Sequence, residues 1–100
     1  MSEQEMISAL RLRLDEGEKA EERLLSSLLS DAAALIRALT WRSEVPPELQ
    51  NAQIRLAVIF YNRMGMEGES SRSEGDVKRT AEDLPDGLRR EIYAYRRALT

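Results

Sequence analysis

The chain of 100 residues contains no cysteine and no histidine. Without cysteine it can form no disulfide framework, no thiolate metal site and no thiolate nucleophile. Without histidine it lacks both the commonest general base and the commonest metal ligand. Lysine is scarce as well, because Lys19 and Lys78 are the only two, so few side chains could activate a serine. From these absences we predict no catalytic residue, no metal site and no cofactor.

Long apolar runs are also missing. No segment approaches the roughly 20 apolar residues that a membrane-spanning helix needs, and the N-terminus opens on Glu3, Gln4 and Glu5 rather than on a secretory signal. We therefore expect a soluble protein that is intracellular when it is made and has no membrane partner. Its net charge of −3 argues against duplex DNA as the main partner, because non-specific affinity for DNA comes from neutralised phosphates.

The polar clusters that are present do not converge on a reaction. Adjacent carboxylates such as Glu21 and Glu22 point about 100° apart on a helix and favour compensation of its dipole. The serines in Ser70–Ser73 have neither a histidine to activate them nor a Gly-x-Ser-x-Gly elbow. The acidic side chains between residues 67 and 76 lack the spacing of a calcium-binding EF-hand loop.

What the chain does have is an apolar pattern with helical spacing. Ser2 and Glu5 form a capping-box signature in front of a short first helix, which Gly17 ends. A second helix is predicted over residues 18–40, with Trp41 as a partly buried plug at its end. The first helix is marked by Met6, Leu10 and Leu14.

The second and third helices carry the strongest apolar stripes. Doubled leucines at 24–25 and 28–29 predict that the second helix packs on both the third helix and a neighbouring subunit. Pro46 and Pro47 force an extended entry into the third helix, and Gly65 ends it. The inward face of the third helix comprises Leu49, Ala52, Leu56, Ile59, Phe60 and Met64.

Between residues 65 and 83 the helical period stops, and the glycines and serines favour turns. Val77–Thr80 could pair with Ser70–Arg72 as a small hairpin. Pro85 then opens a last helix. The pattern predicts an all-α fold, a small bundle of about four helices in a single domain over residues 1–100, with a long loop or small hairpin (65–83) before the last helix. That helix is expected to place Leu88, Ile92, Tyr95 and Leu99 on one face.

Four arginines near the C-terminus form the most suggestive charge pattern. On a continuous helix, Arg89 and Arg96 would lie two turns apart on one side. Arg90 and Arg97 would do the same, with Tyr93 between the pairs. Arginines near a helix C-terminus also suit its dipole, but Arg and Tyr are enriched in interface hot spots. We interpret this stripe as a docking surface for a protein partner.

Several segments carry a family resemblance when taken in order. The third helix is entered through Val45-Pro46-Pro47-Glu48-Leu49 and ends in Tyr61-Asn62-Arg63-Met64-Gly65. The loop Ser71-Arg72-Ser73-Glu74-Gly75-Asp76-Val77 is the most distinctive piece. Leu84-Pro85 and the aromatic-Arg-Arg finish Tyr95-Arg96-Arg97 follow. In this order the segments resemble the head–tail connector (adaptor, or head-completion) proteins of long-tailed phages and prophages.

The resemblance implies a structural virion protein rather than an enzyme. Such a protein would form a ring homo-oligomer, a dodecamer in the virion, beneath the portal. It would extend the DNA channel and dock the next connector or tail-completion protein, while DNA passes through without specific binding. Its place would be the neck of the virion, at the head–tail interface, after synthesis in the cytoplasm of the bacterial host.

The residues expected to bind the portal, a neighbouring subunit or the tail side combine the distinctive loop with the basic tail. The alternative function is a small helical regulatory or nucleic-acid-binding protein. Its recognition helix would be residues 86–98, which lack the Asn/Gln/Arg face that reads bases. The expected partner-binding residues are Ser71, Arg72, Ser73, Glu74, Gly75, Asp76, Val77, Arg89, Arg90, Tyr93, Arg96 and Arg97.

Overall fold

In a computed structural model, the residues described are 1–15, 17–67 and 77–97, with only the backbone considered at 65–67 and 77–79. Within these ranges the chain folds into five α-helices and no strand, which confirms the prediction of an all-α bundle. The helices are α1 (Glu3–Arg13), α2 (Glu22–Thr40), α3 (Gln50–Glu67), α4 (Val77–Glu82) and α5 (Asp86–Tyr93).

Helix α1 begins with the predicted capping box. The Ser2 hydroxyl accepts a hydrogen bond from the Glu5 amide at 3.2 Å, and the Glu5 carboxylate accepts one from the Ser2 amide at 2.8 Å. Both bonds satisfy amides that have no partner within the helix. The apolar side of α1, formed by Met6, Ile7 and Leu10, is buried in the core.

Helix α2 begins later than predicted, at Glu22 instead of residue 18. A 3₁₀ turn over Gly17–Lys19 comes first. The guanidinium of Arg11 donates to the carbonyl oxygens of Gly17 at 2.8 Å and Ala20 at 2.7 Å. These two bonds hold the turn against α1, so residues 17–20 reverse the chain and cannot extend α2.

The doubled leucines of α2 pack into the core of their own chain. Leu25, Leu28 and Leu29 are buried, and Leu24 is partly buried against the same cluster. The prediction that these leucines also pack on a neighbouring subunit is therefore wrong. The bundle has enough helices around α2 to cover the whole stripe, because α1, α3, α4 and α5 all contact it.

Helix α3 follows the two prolines as predicted. Pro46 is extended (φ −60°, ψ 144°), and a 3₁₀ turn over Pro47–Leu49 leads directly into the helix. The helix continues past Gly65, its predicted end, to Glu67. Its inward face is buried as expected at Leu49, Ala52, Leu56 and Phe60, with Ile59 partly buried, but Met64 is 37% exposed. The prediction fails at Met64.

One buried polar contact fixes α3 against α2. The amide nitrogen Nε2 of Gln53 donates to the Leu29 carbonyl oxygen at 2.9 Å, and Gln53 is only 9% exposed. A buried amide without a partner would be costly, so this bond specifies where the two helices meet.

Residues 77–82 form α4, so the extended segment considered for Val77–Thr80, and with it the hairpin, is wrong. Ala81, in the last turn of α4, and Leu84, two residues after that helix, are both buried in the core. Residues 68–76 lie outside the described residues. Leu88 and Ile92 of α5 are buried as predicted, and none of the described helices is both long and apolar enough to cross a membrane.

Gly17 and Gly87 provide a matched pair of tests. A Cβ at Gly17 would lie 2.2 Å from the Arg11 carbonyl oxygen, whereas a Cβ at Gly87 would meet nothing within 4 Å. We expect Gly17→Ala to lower the free energy of unfolding by about 1–3 kcal/mol. Gly87→Ala, in helix α5, should raise it by up to about 1 kcal/mol. Urea unfolding followed by circular dichroism measures both, and equal effects of the two variants would contradict the close approach at Gly17.

Leu56 and Leu12 test the position of the core. Leu56 is fully buried on α3, whereas Leu12 on α1 is 87% exposed. We expect Leu56→Ala to cost about 2–5 kcal/mol of unfolding free energy, because it leaves a cavity. Leu12→Ala should change that free energy by no more than about 0.5 kcal/mol. A large loss of stability for Leu12→Ala would show that its side chain is covered.

Candidate partner-docking surface

The predicted arginine stripe is not a single helical face. Helix α5 spans eight residues and ends at Tyr93, so Arg96 and Arg97 do not continue its surface. The chain turns after Tyr93, with the Tyr95 amide donating to the Ile92 carbonyl and the Arg96 amide to the Tyr93 carbonyl, both at 3.0 Å. The prediction that Arg89 and Arg96 share one side of a helix is therefore wrong, as is the same prediction for Arg90 and Arg97.

The turn brings the C-terminal segment to the end of α2. The last carbonyl groups of a helix have no partner within it. Here the Leu39 carbonyl oxygen accepts a bond from Nε of Arg96 at 3.1 Å, and the Thr40 carbonyl oxygen accepts one from the Arg97 amide at 2.8 Å. The end of α2 is thus closed by residues more than fifty positions away in the chain.

A residue that follows α2 also donates a hydrogen bond to the C-terminal segment. Nε of Arg42, just after α2, donates to the Tyr95 carbonyl oxygen at 2.7 Å. The Arg42 amide also donates to the Arg37 carbonyl at 3.2 Å, inside α2. Hydrogen bonds in both directions therefore join the end of α2 to the segment after α5.

Trp41 occupies the left-handed conformation at the end of α2 (φ 60°, ψ 35°) and is the only non-glycine residue with positive φ in the described chain. Glycine is the usual residue there, and another residue costs about 1–2 kcal/mol. The sequence predicted that Trp41 lies at a helix junction as a partly buried plug. Its position at the junction is correct. Trp41 is 46% exposed, and one face of its indole ring contacts another side chain.

That face contacts Arg96. The guanidinium carbon of Arg96 lies 4.3 Å from the centre of the Trp41 ring and 4.4 Å from the centre of the Tyr93 ring. Each cation–π contact at an exposed site contributes about 0.5–1 kcal/mol. We call this surface the arginine–aromatic pole; it comprises Arg37, Trp41, Arg42, Tyr93, Arg96 and Arg97.

Arg89 and Arg90 differ from each other in role. Arg89 forms an ion pair with Asp86 at 2.6 Å and donates to the Glu82 carbonyl oxygen at 3.4 Å, so it ties α5 to the end of α4. Arg90 is exposed, and no residue of the described chain forms an ion pair with it. Only Arg90 of this pair is available to a partner.

A shallow cleft of about 410 Å³ lies beside the pole. It combines the prolines before α3 with an aromatic ring and charges of both signs. Such a surface suits contact with a protein segment better than the enclosure of a small molecule, which needs a deep and mostly apolar pocket. Its lining residues are Arg42, Glu44, Val45, Pro46, Pro47, Glu48 and Tyr95.

A second cleft, of about 520 Å³, lies between the start of α1 and the first half of α2, and we call it the acidic cleft. The Ser26 hydroxyl donates to the Glu3 carboxylate at 2.5 Å, and Nε2 of Gln4 donates to the Glu22 carboxylate at 3.0 Å. No three metal-ligating side chains come together anywhere in the described chain. The cleft is lined by Glu3, Gln4, Glu22, Arg23, Ser26, Ser27, Ser30 and Asp31.

The structure brings Tyr93, Arg96 and Arg97 of the predicted docking residues together at the pole. Residues 71–76 of the distinctive loop lie outside the described residues, and Val77 begins α4. The sequence analysis did not include Arg37 and Arg42, which belong to the arginine–aromatic pole. The adjacent Trp41 and Arg42 at a predicted helix end were a usable signal, but the residues that meet them lie at the other end of the chain.

No curated protein and no solved structure matches the chain. The family model described as phage gp6-like head-tail connector protein matches residues 4–96, and the match runs from α1 through the turn that carries Arg96. It covers every described helix and both ends of α2. The chain therefore belongs to the phage gp6-like head-tail connector proteins, and it is a structural component of the virion at the head–tail interface, where it contacts other head and tail proteins.

Proposed function

We propose that the chain assembles side by side with identical copies into a ring beneath the portal, a dodecamer in the virion. The ring extends the DNA channel and docks the next connector or tail-completion protein. In this role the chain catalyses no reaction and needs no cofactor. The match of the connector family over residues 4–96 is the observation that carries this proposal.

The closed core supports the role of a preformed building block. The doubled leucines and the buried face of α3 are covered within one chain. A subunit of this kind can fold alone and then meet its neighbours through surface features. Because neighbours in a ring meet through two different surfaces, each subunit needs two complementary faces rather than one self-complementary patch.

The docking residues in this proposal come from two regions. The arginine–aromatic pole supplies Tyr93, Arg96 and Arg97, and exposed Arg90 lies on the preceding helix. The loop segment Ser71–Val77, with Ser73–Val77 at its centre, is proposed from the sequence alone as a segment that contacts the portal or a neighbour. Segments of this kind are common at interfaces that form during assembly.

The channel role requires that DNA pass without sticking. The chain has a net charge of −3, and four carboxylates lie between Glu67 and Asp76. Carboxylates that face the channel repel the phosphates and prevent specific or non-specific binding.

The nucleic-acid-binding alternative is weakened by helix α5. A recognition helix over residues 86–98 would need an exposed face about three turns long. In the structure the helix ends at Tyr93, Arg89 pairs with Asp86, and Glu91 pairs with Arg55. Arg90 is then the only cation on α5 that is free to reach a phosphate within the described chain.

Binding to a portal ring tests the connector role. When the purified chain is mixed with a matching portal ring, we expect light scattering to report added mass that approaches twelve times 11.4 kDa. Added mass in smaller steps would contradict a complete ring. Failure to bind either the portal or a downstream tail protein would contradict the connector proposal itself.

Duplex DNA provides the discriminating measurement against the alternative. At about 0.15 M salt we expect no change in the fluorescence anisotropy of a labelled duplex when the chain is added. A change that weakens steeply with added salt would indicate phosphate contacts, and it would favour the nucleic-acid-binding function.

A further inference from the structure

The guanidinium of Arg96 is held in place before any partner arrives. The rings of Trp41 and Tyr93 lie over it at 4.3 and 4.4 Å, and its Nε donates to the Leu39 carbonyl oxygen. Within the described residues, neither Nη atom has a hydrogen-bond partner, and the side chain is exposed. Two parallel N–H groups in a fixed plane match the two oxygens of a carboxylate.

The conformation of Trp41 gives a second, independent indication. A left-handed backbone at the end of α2 favours glycine, yet a tryptophan occupies the position. Closing the end of the helix does not need the indole, because backbone and guanidinium donors satisfy its carbonyls. The indole positions Arg96 and leaves about half of its own surface open. Outliers of this kind are retained where the side chain has a function.

The surroundings of Arg96 select an acidic partner. Arg42 and Arg97 are next to Trp41 and Arg96 in the chain, Arg37 lies one turn before Trp41 on α2, and all three are exposed. Compensation of the α2 dipole accounts for arginines near the carbonyl groups. It does not account for a guanidinium that contacts two aromatic rings while its Nη atoms have no hydrogen-bond partner among the described residues.

The same chain carries a matching surface at the opposite end of α2. The acidic cleft places the carboxylates of Glu3 and Glu22 beside serine hydroxyls. Helix α2 has 19 residues, so about 28 Å of helix separates its two ends. Arg96 cannot reach Glu22 of its own chain, and a contact between these surfaces must join two copies.

We propose that the arginine–aromatic pole of one subunit docks into the acidic cleft of the next. Arg96 forms a two-bond ion pair with a cleft carboxylate, for which Glu22 is the leading candidate. The two surfaces differ, so the contact is head-to-tail and can repeat until a ring closes. This inference rests on the proposed ring and identifies the contact between its subunits.

Two charge reversals test the contact together. In Arg96→Glu the pole becomes repulsive to the cleft, and in Glu22→Arg the cleft becomes repulsive to the pole. Each variant alone should self-associate at least tenfold more weakly than the natural chain, measured by sedimentation equilibrium over a range of concentrations. An equimolar mixture should recover the association, because every contact between unlike variants then pairs a carboxylate with an arginine.

Control variants separate this contact from other effects of charge. Lys19→Glu changes the net charge as Arg96→Glu does, at an exposed position outside the pole, and should associate like the natural chain. Trp41→Gly relieves the left-handed strain but removes the ring over Arg96, so it should keep the fold and weaken association. Circular dichroism and thermal unfolding verify that each variant is folded.

Several outcomes would overturn the inference. It fails if the single reversals associate like the natural chain, if their mixture is no better than either alone, or if the natural chain shows no association either free or on the portal. If Arg96→Glu still adds a complete ring to the portal, the contact is wrong and the connector role stands. If the natural chain associates through the pole but binds no portal or tail protein, the contact stands and the connector role fails.

Discussion

Helix α2 contacts every other helix of the described chain, and its apolar stripe is the surface on which the bundle is built. Leu25, Leu28 and Ile36 are almost completely buried on it, which excludes water along most of its length. Helix α2 is covered on several sides by its own chain, and its exposed side carries Ser27, Ser30, Ala34 and Arg37. The clusters of charged side chains lie at its two ends. The position of those ends determines where the charged clusters lie.

The two ends of α2 are stabilised by different contacts. At its start, a 3₁₀ turn held by Arg11 brings α1 alongside, and the polar side chains of both helices line an acidic cleft. At its end, the carbonyl groups are satisfied by Arg96 and Arg97, which brings cations and two aromatic rings to one place. The surface at the end of α2 follows from the requirement that the last carbonyl groups of a helix find partners. The cleft at its start is held instead by side-chain bonds between α1 and α2. A subunit with opposite charges at opposite ends is suited to head-to-tail assembly.

The regular parts of the fold could be predicted because their cause is local. Spacings of three and four residues reveal the capping box at Ser2 and the buried face around Leu56. The fixed backbone angle of proline reveals the entry into α3. The sequence-based predictions are wrong where a contact between residues far apart in the chain determines the local structure. Arg11 binds the carbonyl oxygens of Gly17 and Ala20 in the turn before α2, so residues 18–21 do not extend that helix. Residues Val77–Glu82 form α4, and its Ala81 is buried against the rest of the core. Likewise, the doubled leucines that suggested a neighbouring subunit are covered by helices whose packing no spacing reveals.

The sequence by itself determined the helical class, the absence of cysteine and histidine chemistry, and a resemblance that the family match confirmed. The sequence also led to the prediction, untested so far, that Tyr93 and Arg96 belong to a docking surface. Only the tertiary structure decided how that surface is made, because α5 ends at Tyr93 and the following residues turn back to Trp41. The contact of the Arg96 guanidinium with the Trp41 ring joins residues that are more than fifty positions apart in the chain. Such a contact forms only after the core has fixed where both segments lie.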